Sequence, residues 1–176
     1  MTDIDHDILR DYARARATVA PGEPLTLIEI GRECTTLVSG TDDTARDVIA
    51  LNIGFVKTAK EFFKHNPPTP RELEEAIATI EDELARARTI IVTDSMLITT
   101  DKIVPEIART AAIGSMSEPM LSIEVVEQLY QRFAVVTSGA PGTQKESDFY
   151  AVHAATILIL REAMHHLRYA AIRVIT

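Results

Sequence analysis

The sequence has no tryptophan and one cysteine, Cys34, and only 5% of its 176 residues are aromatic. A lone cysteine cannot form an internal disulfide, nor can it build a thiolate metal site by itself. The chain begins without the basic and apolar regions of a signal peptide, and no apolar run reaches the roughly 18 residues typical of a membrane span. These absences predict a cytoplasmic protein that has an aliphatic core and no membrane partner.

Basic residues are also scarce, because 18 Lys and Arg face 26 Asp and Glu and give a formal net charge of −8. Surfaces that bind nucleic acids are built from clustered Lys and Arg, and no segment here is strongly basic. We therefore expect no nucleic-acid partner. The hydrophobic content of 46% and the length are typical of one globular domain over residues 1–176.

The stretch from Thr143 to Arg173 is the most informative part of the chain. Thr143 and Glu146 have the spacing of a helix capping box, and residues 150–160 are almost entirely apolar. A helix that is apolar on all sides has to be wrapped by other elements. The pattern therefore predicts a mainly α fold, a single-domain bundle of about six or seven helices around a long C-terminal apolar helix.

The clearest local signal is another capping box, in which Thr69 is followed by Pro70 at the first helical position and by Glu72. Apolar residues then recur at spacings of four and three, which predicts an amphipathic helix with one buried seam. Further helices are predicted over residues 3–19, 42–64, 101–113 and 119–136.

Two segments, 25–38 and 90–98, fit either a helix or a strand. Residues 90–98 are rich in β-branched side chains and are the best candidate for one short strand, which could pair across a dimer. For residues 25–38 we favour a helix, because apolar side chains recur there at helical spacing. Glu29 and Glu33 then lie one turn apart on the opposite face, which indicates a solvated charged surface.

Glu162 and His165 are the candidate metal ligands. Residues three apart project from one face of a helix, and Glu-x-x-His is half of the ligand set in carboxylate-bridged di-metal bundles. The chain has no second copy of this motif, but a two-fold axis could duplicate it. An exposed ion-pairing helix end is the alternative, and a divalent metal is the only cofactor that the sequence suggests.

Three polar residues in apolar surroundings, His153, Asn52 and Asp94, are candidates for the lining of a ligand pocket. Burial should favour the neutral form of His153 by lowering its pKa. The alternative is a purely structural role, in which His153 lies in the core and forms one hydrogen bond. Asp94 can equally belong to a turn.

The sequence leaves open whether the protein is an enzyme. The favoured interpretation is a non-catalytic helical assembly protein that forms a homodimer. The sequence contains no recognisable set of catalytic residues, and Ala-rich patches in the last helix permit close helix packing. The alternative is a metal-dependent or small-molecule-binding helical enzyme with its site at the C-terminal helix, completed across a dimer. A third interpretation is a regulatory domain that binds a small-molecule ligand.

Overall fold

A computed structural model describes residues 3–45, 47–110, 120–136 and 144–175, with side chains except at 3–6, 108–110, 133–136 and 144–149. The described residues form a six-stranded mixed sheet with helices packed on both faces. The predicted all-helical bundle is therefore wrong. The strands are β1 (Leu25–Ile30), β2 (Thr35–Gly40), β3 (Asp47–Leu51), β4 (Met96–Thr99), β5 (Met120–Ser122) and β6 (Ala171–Val174).

Six helices are described, and no helix in the described ranges is long and apolar enough to cross a membrane. The capping box at Thr69 is confirmed, since its side chain accepts from the Glu72 amide and Glu72 bonds back to the Thr69 amide. The predicted box at Thr143 lies outside the described residues. The helices are α1 (Asp3–Arg16), α2 (Phe55–Phe62), α3 (Pro70–Ala87), α4 (Ile103–Thr110), α5 (Ile123–Val136) and α6 (Gln144–Leu167).

The strand order across the sheet is β3-β2-β1-β4-β6-β5. The central strands β1, β4 and β6 are parallel, whereas β2, β3 and β5 pair antiparallel with their neighbours. The chain leaves β1 toward β2 on one side and returns to β4 on the other. The carboxyl ends of β1 and β4 therefore meet at one edge of the sheet, at a point where the strand order reverses.

The segment 25–38, for which a helix was favoured, is in fact the hairpin of β1 and β2. Along β1, Leu25 and Leu27 pack on α1, whereas Ile28 and Ile30 face the larger core on the other side. Because both faces are covered, the strand has no alternation of apolar and polar residues. Without that alternation, the apolar spacing was compatible with a helix.

The predicted helix over residues 42–64 is also wrong, because this segment contains β3 and the separate helix α2. The break between them lies at Gly54, the residue that precedes α2. A Cβ on Gly54 would stand 2.5 Å from the carbonyl carbon of Glu33 and 2.6 Å from that of Arg32. Only glycine allows this close approach between the start of α2 and the β1–β2 turn.

The segment 90–98 contains one strand, β4, after a turn at Asp94. Asp94 has a φ of 58°, a left-handed conformation that Asp tolerates better than most residues. The strand pairs with β1 and β6 of the same chain, so it needs no partner across a dimer. β5 and β6 lie in segments where only helix was predicted.

The last helix, α6, is central as predicted, although it is shorter and the chain continues into β6. It packs against α2, α3, α4, α5 and β1. Residues 157–160 are fully buried, as the apolar run requires.

Candidate active site at the carboxyl ends of the central strands

Two carboxyl side chains meet where the parallel strands β1 and β4 end. Glu29 is the penultimate residue of β1, and Asp101 lies two residues after the end of β4. In open α/β sheets, ligands bind at the carboxyl ends of the strands, in the crevice where the strand order reverses. The pair occupies that position.

Hydrogen bonds across the two strand ends fix both carboxyls. Oε1 of Glu29 accepts from the Thr100 amide at 2.9 Å and from the Thr100 hydroxyl at 2.6 Å. Oδ2 of Asp101 accepts from the Ile30 amide at 2.7 Å, and the Asp101 amide donates to the Thr99 hydroxyl at 3.1 Å. Thr100, after β4, thus holds the carboxyl of Glu29 from β1, and Ile30, in β1, holds the carboxyl of Asp101 from the segment after β4.

The environment favours the protonated form of Asp101. Burial, together with the charge of Glu29 and a hydrogen bond between the two side chains, raises the pKa of Asp101 from 3.8 to about 8. Hydrogen bonds from Ile30 and Thr99 act in the opposite direction but do not outweigh burial. Asp101 therefore keeps its proton near neutral pH.

The β1–β2 turn beside the pair is fixed by the start of α2. The amide of Phe55 donates to the Gly31 carbonyl at 2.9 Å, and the amides of Val56 and Lys57 donate to the Arg32 carbonyl at 2.9 and 3.1 Å. These amides are therefore satisfied by the protein itself. Arg32 and Glu33, at the tip of the turn, are exposed.

This arrangement can perform two kinds of chemistry. A carboxylate and a carboxylic acid in contact can take a proton from one atom and give a proton to another. Two carboxylates could also hold a hard divalent cation, but the shared proton would first have to leave.

The structure places the predicted metal ligands Glu162 and His165 with different partners. Glu162 is buried and pairs with Arg161, and its Oε2 lies 3.7 Å from Nε2 of His166. His165 is half-exposed, and its Nε2 lies 2.5 Å from Oε1 of Glu127. The metal site at Glu162 and His165 stays a prediction.

Glu162 and His166 approach Glu81 on α3, and one ligand atom from each of the three lies within 4.8 Å of the others. Nε2 of His166 is 2.9 Å from Glu81, while Nη2 of Arg88 lies 3.4 Å from its Nδ1. Since Arg88 can only donate, Nδ1 accepts and Nε2 carries the proton. A metal at this cluster would have to displace that proton.

The three predicted pocket residues lie in separate parts of the fold. His153 is buried in α6, where burial lowers its pKa although the charge of Glu106 opposes the shift. Asn52 is exposed after β3, and its backbone amide donates to Glu83 at 2.7 Å. Asp94 is exposed in the turn before β4. The pocket that they were predicted to line stays a prediction.

Sequence reasoning missed Glu29 and Asp101 as a site. Glu29 was assigned to a solvated helix face together with Glu33, but Glu29 is the penultimate residue of a strand and Glu33 lies on the exposed turn. A usable signal was present, because each carboxyl lies at or just after the end of an apolar β-branched run.

The fold resembles solved structures of phosphatases. A Ppx/GppA family member of Aquifex aeolicus is 20% identical with a TM-score of 0.76, and 93% of this chain matches 56% of that protein. The type II variant of the Aquifex aeolicus Ppx/GppA phosphatase is 17% identical with a TM-score of 0.74, over 94% of this chain and 59% of that one. An exopolyphosphatase from Cytophaga hutchinsonii is 14% identical with a TM-score of 0.73, over 97% and 58%.

These identities show the fold alone, and the chain spans little more than half the length of those proteins. The sequence matches no protein-family model and no curated protein. The likeness to α/β phosphatases again contradicts the helical bundle. The favoured interpretation, a helical assembly protein, is therefore wrong as well, because the chain is not an all-helical bundle.

Proposed function

We propose that this chain is a phosphatase-type hydrolase in which Glu29 and Asp101 are the base and the acid. The observation that carries the proposal is the carboxyl pair with a raised pKa at the ends of β1 and β4. Paired carboxyls whose environments push their pKa values apart divide acid and base roles between them. The fold of enzymes described as phosphatases and exopolyphosphatases supports phosphate esters or phosphoanhydrides as the substrate class.

In the proposed reaction, water attacks phosphorus and the bond from phosphorus to the leaving oxygen breaks. Glu29 takes a proton from the attacking water as the new P–O bond forms. Asp101 gives its proton to the leaving oxygen, so the products are an alcohol, or a shorter phosphate chain, and inorganic phosphate. Proton exchange between Glu29 and Asp101 then restores the starting state.

The hydrogen bonds around the pair serve these two roles. The Thr100 amide and hydroxyl hold Oε1 of Glu29 in place beside Asp101, where the proposed base has to lie. The pKa of about 8 leaves Asp101 protonated at neutral pH, as an acid requires. Lys102, exposed directly after Asp101, supplies positive charge for the phosphate.

The test is phosphate release from p-nitrophenyl phosphate and from inorganic tripolyphosphate, with and without Mg²⁺. We expect Glu29→Gln and Asp101→Asn to lower kcat by about 10²- to 10⁴-fold, the usual contribution of general acid–base catalysis. The matched controls, Glu33→Gln and Asp82→Asn, remove exposed carboxylates and should leave the rate unchanged.

The pH profile separates a proton donor from a merely structural residue. The wild-type rate should fall above about pH 8, as Asp101 loses its proton, and this limb should be missing in Asp101→Asn. The proposal fails if wild-type protein releases no phosphate in any condition, or if both variants retain the wild-type rate.

A further inference from the structure

The last two turns of α3 and α6 bring together three side chains that can ligate a metal. Glu81 comes from α3, and Glu162 and His166 come from α6. Because α3 leads into β4 and α6 leads into β6, this cluster lies toward the amino ends of the parallel strands. Glu29 and Asp101 lie at the carboxyl ends, so the cluster is separate from the proposed catalytic site.

The ligand atoms of the cluster have nearly the spacing that a single ion requires. Nε2 of His166 lies 2.9 Å from Oε1 of Glu81 and 3.7 Å from Oε2 of Glu162, two side chains on one face of α6 and one on α3. A tetrahedral ion with ligands at about 2.0–2.2 Å holds them about 3.3–3.6 Å apart. The measured separations lie on either side of this range, so small side-chain adjustments are enough to admit an ion.

Glu162 is a buried ligand whose orientation is already fixed. Its side chain is 4% exposed, and its Oε1 pairs with Arg161, which also donates to Glu127 at 2.9 Å. Its Oε2 accepts no hydrogen bond from any residue that the structure describes. Buried charges are paired or coordinate metals, and groups behind a ligand hold metal-binding carboxylates in place. Arg161 and Glu127 thus orient Glu162 and leave Oε2 available to a cation.

Arg88 controls which nitrogen of His166 is available. Its Nη2 lies 3.4 Å from Nδ1 of His166, and its Nε donates to the His166 carbonyl at 3.3 Å. The ring proton is therefore on Nε2, where it faces Glu81. When a metal takes Nε2, the proton moves to Nδ1 and the guanidinium has to turn away. Arg88 is exposed and free to turn, so it weakens metal binding without preventing it.

We propose that Glu81, Glu162 and His166 bind a divalent transition-metal ion of the Zn²⁺ type, which joins α3 to α6. The two carboxylates neutralise the ion, and a water molecule completes its tetrahedral shell. A mixture of imidazole and carboxylate ligands suits Zn²⁺, whereas Mg²⁺ prefers oxygen ligands in octahedral geometry. Binding requires neither Glu29 nor Asp101, so the proposal does not rest on the hydrolytic function.

Titration of the metal-free full chain with Zn²⁺, in competition with a coloured chelator, tests this site. We expect Glu81→Gln and His166→Ala each to weaken the tightest binding at least about tenfold, because even groups behind metal ligands contribute about 10- to 100-fold. The Glu81 side chain is 44% exposed, so Glu81→Gln should keep the fold. The matched controls, Glu74→Gln on the exposed face of α3 and His165→Ala beside His166, should bind like the wild type.

Arg88→Ala and thermal unfolding complete the design. Arg88→Ala should bind Zn²⁺ about 2- to 10-fold more tightly, since one ordinary hydrogen bond no longer has to break. Zn²⁺ should raise the Tm of the wild type but not of Glu81→Gln, because an ion bound only to the folded chain stabilises it. The proposal is overturned if the wild type binds no Zn²⁺, or if Glu81→Gln and His166→Ala bind like the wild type. Binding that is lost instead in His165→Ala or Glu29→Gln, or weakened in Arg88→Ala, would also overturn it.

Discussion

The carboxyl of Asp101 accepts a hydrogen bond from the backbone amide of Ile30 at 2.7 Å, although the two residues are 71 positions apart. The bond joins the ends of β1 and β4 and holds Asp101 beside Glu29. It satisfies a backbone donor at the last residue of a strand, where the sheet ladder no longer provides an acceptor. One hydrogen bond thus joins the ends of two neighbouring strands and positions the acid of the proposed site.

Stability should depend on pH through Asp101. Its pKa is about 8 in the folded protein and 3.8 for an aspartate in an unfolded chain, so the folded state binds the proton more tightly. The stabilisation is complete below about pH 4 and is lost as the pH rises toward 8. We expect the free energy of unfolding, measured by urea titration at pH 5, 6.5 and 8, to fall more steeply for wild type than for Asp101→Asn. Parallel profiles would contradict the raised pKa.

Gly54→Ala should destabilise the protein by about 1–3 kcal/mol, the usual cost of overpacking. Its Cβ would lie 2.5 Å from the carbonyl carbon of Glu33, so backbone atoms would have to move. Because the same contact fixes the β1–β2 turn, phosphate release should fall as well. Lys60→Ala, an exposed change in the helix α2 that follows Gly54, is the control and should stay within about 0.5 kcal/mol. Equal thermal unfolding of the two variants would argue against the close approach.

Four buried hydroxyls join the sheet to the segment after α6. The Tyr169 hydroxyl lies 2.7 Å from that of Ser95 and 2.9 Å from that of Thr26, which in turn lies 2.8 Å from that of Ser39. Tyr169→Phe keeps the ring but removes its hydrogen bonds to Ser95 and Thr26, so we expect a loss of about 1–3 kcal/mol in unfolding free energy. Ser95→Ala, measured alone and together with Tyr169→Phe, completes a double-mutant cycle. Additive losses would show that the hydroxyls are not coupled.

The sequence could indicate the site only in part. Glu29 was visible as one of two carboxylates, with Glu33, but its proposed role as a base depends on Thr100 and Asp101, which are 71 and 72 positions away. A shifted pKa arises from burial and neighbouring charges, and neither is set by residues close in sequence. Glu162 illustrates the same point, because it is buried near Glu81, which comes from a different helix. The homodimer stays a prediction.

By itself, the sequence determined the start of α3 at Thr69 and Pro70 and the central burial of α6. Capping joins residues three positions apart, and an apolar run needs cover in any fold, so both follow from local chemistry. Only the tertiary structure decided that residues 25–30 form a strand and that Glu29 meets Asp101. Strand pairing joins segments that are distant in the sequence. Because β1 is buried on both faces, its sequence also lacks the alternation of apolar and polar residues by which a strand is recognised.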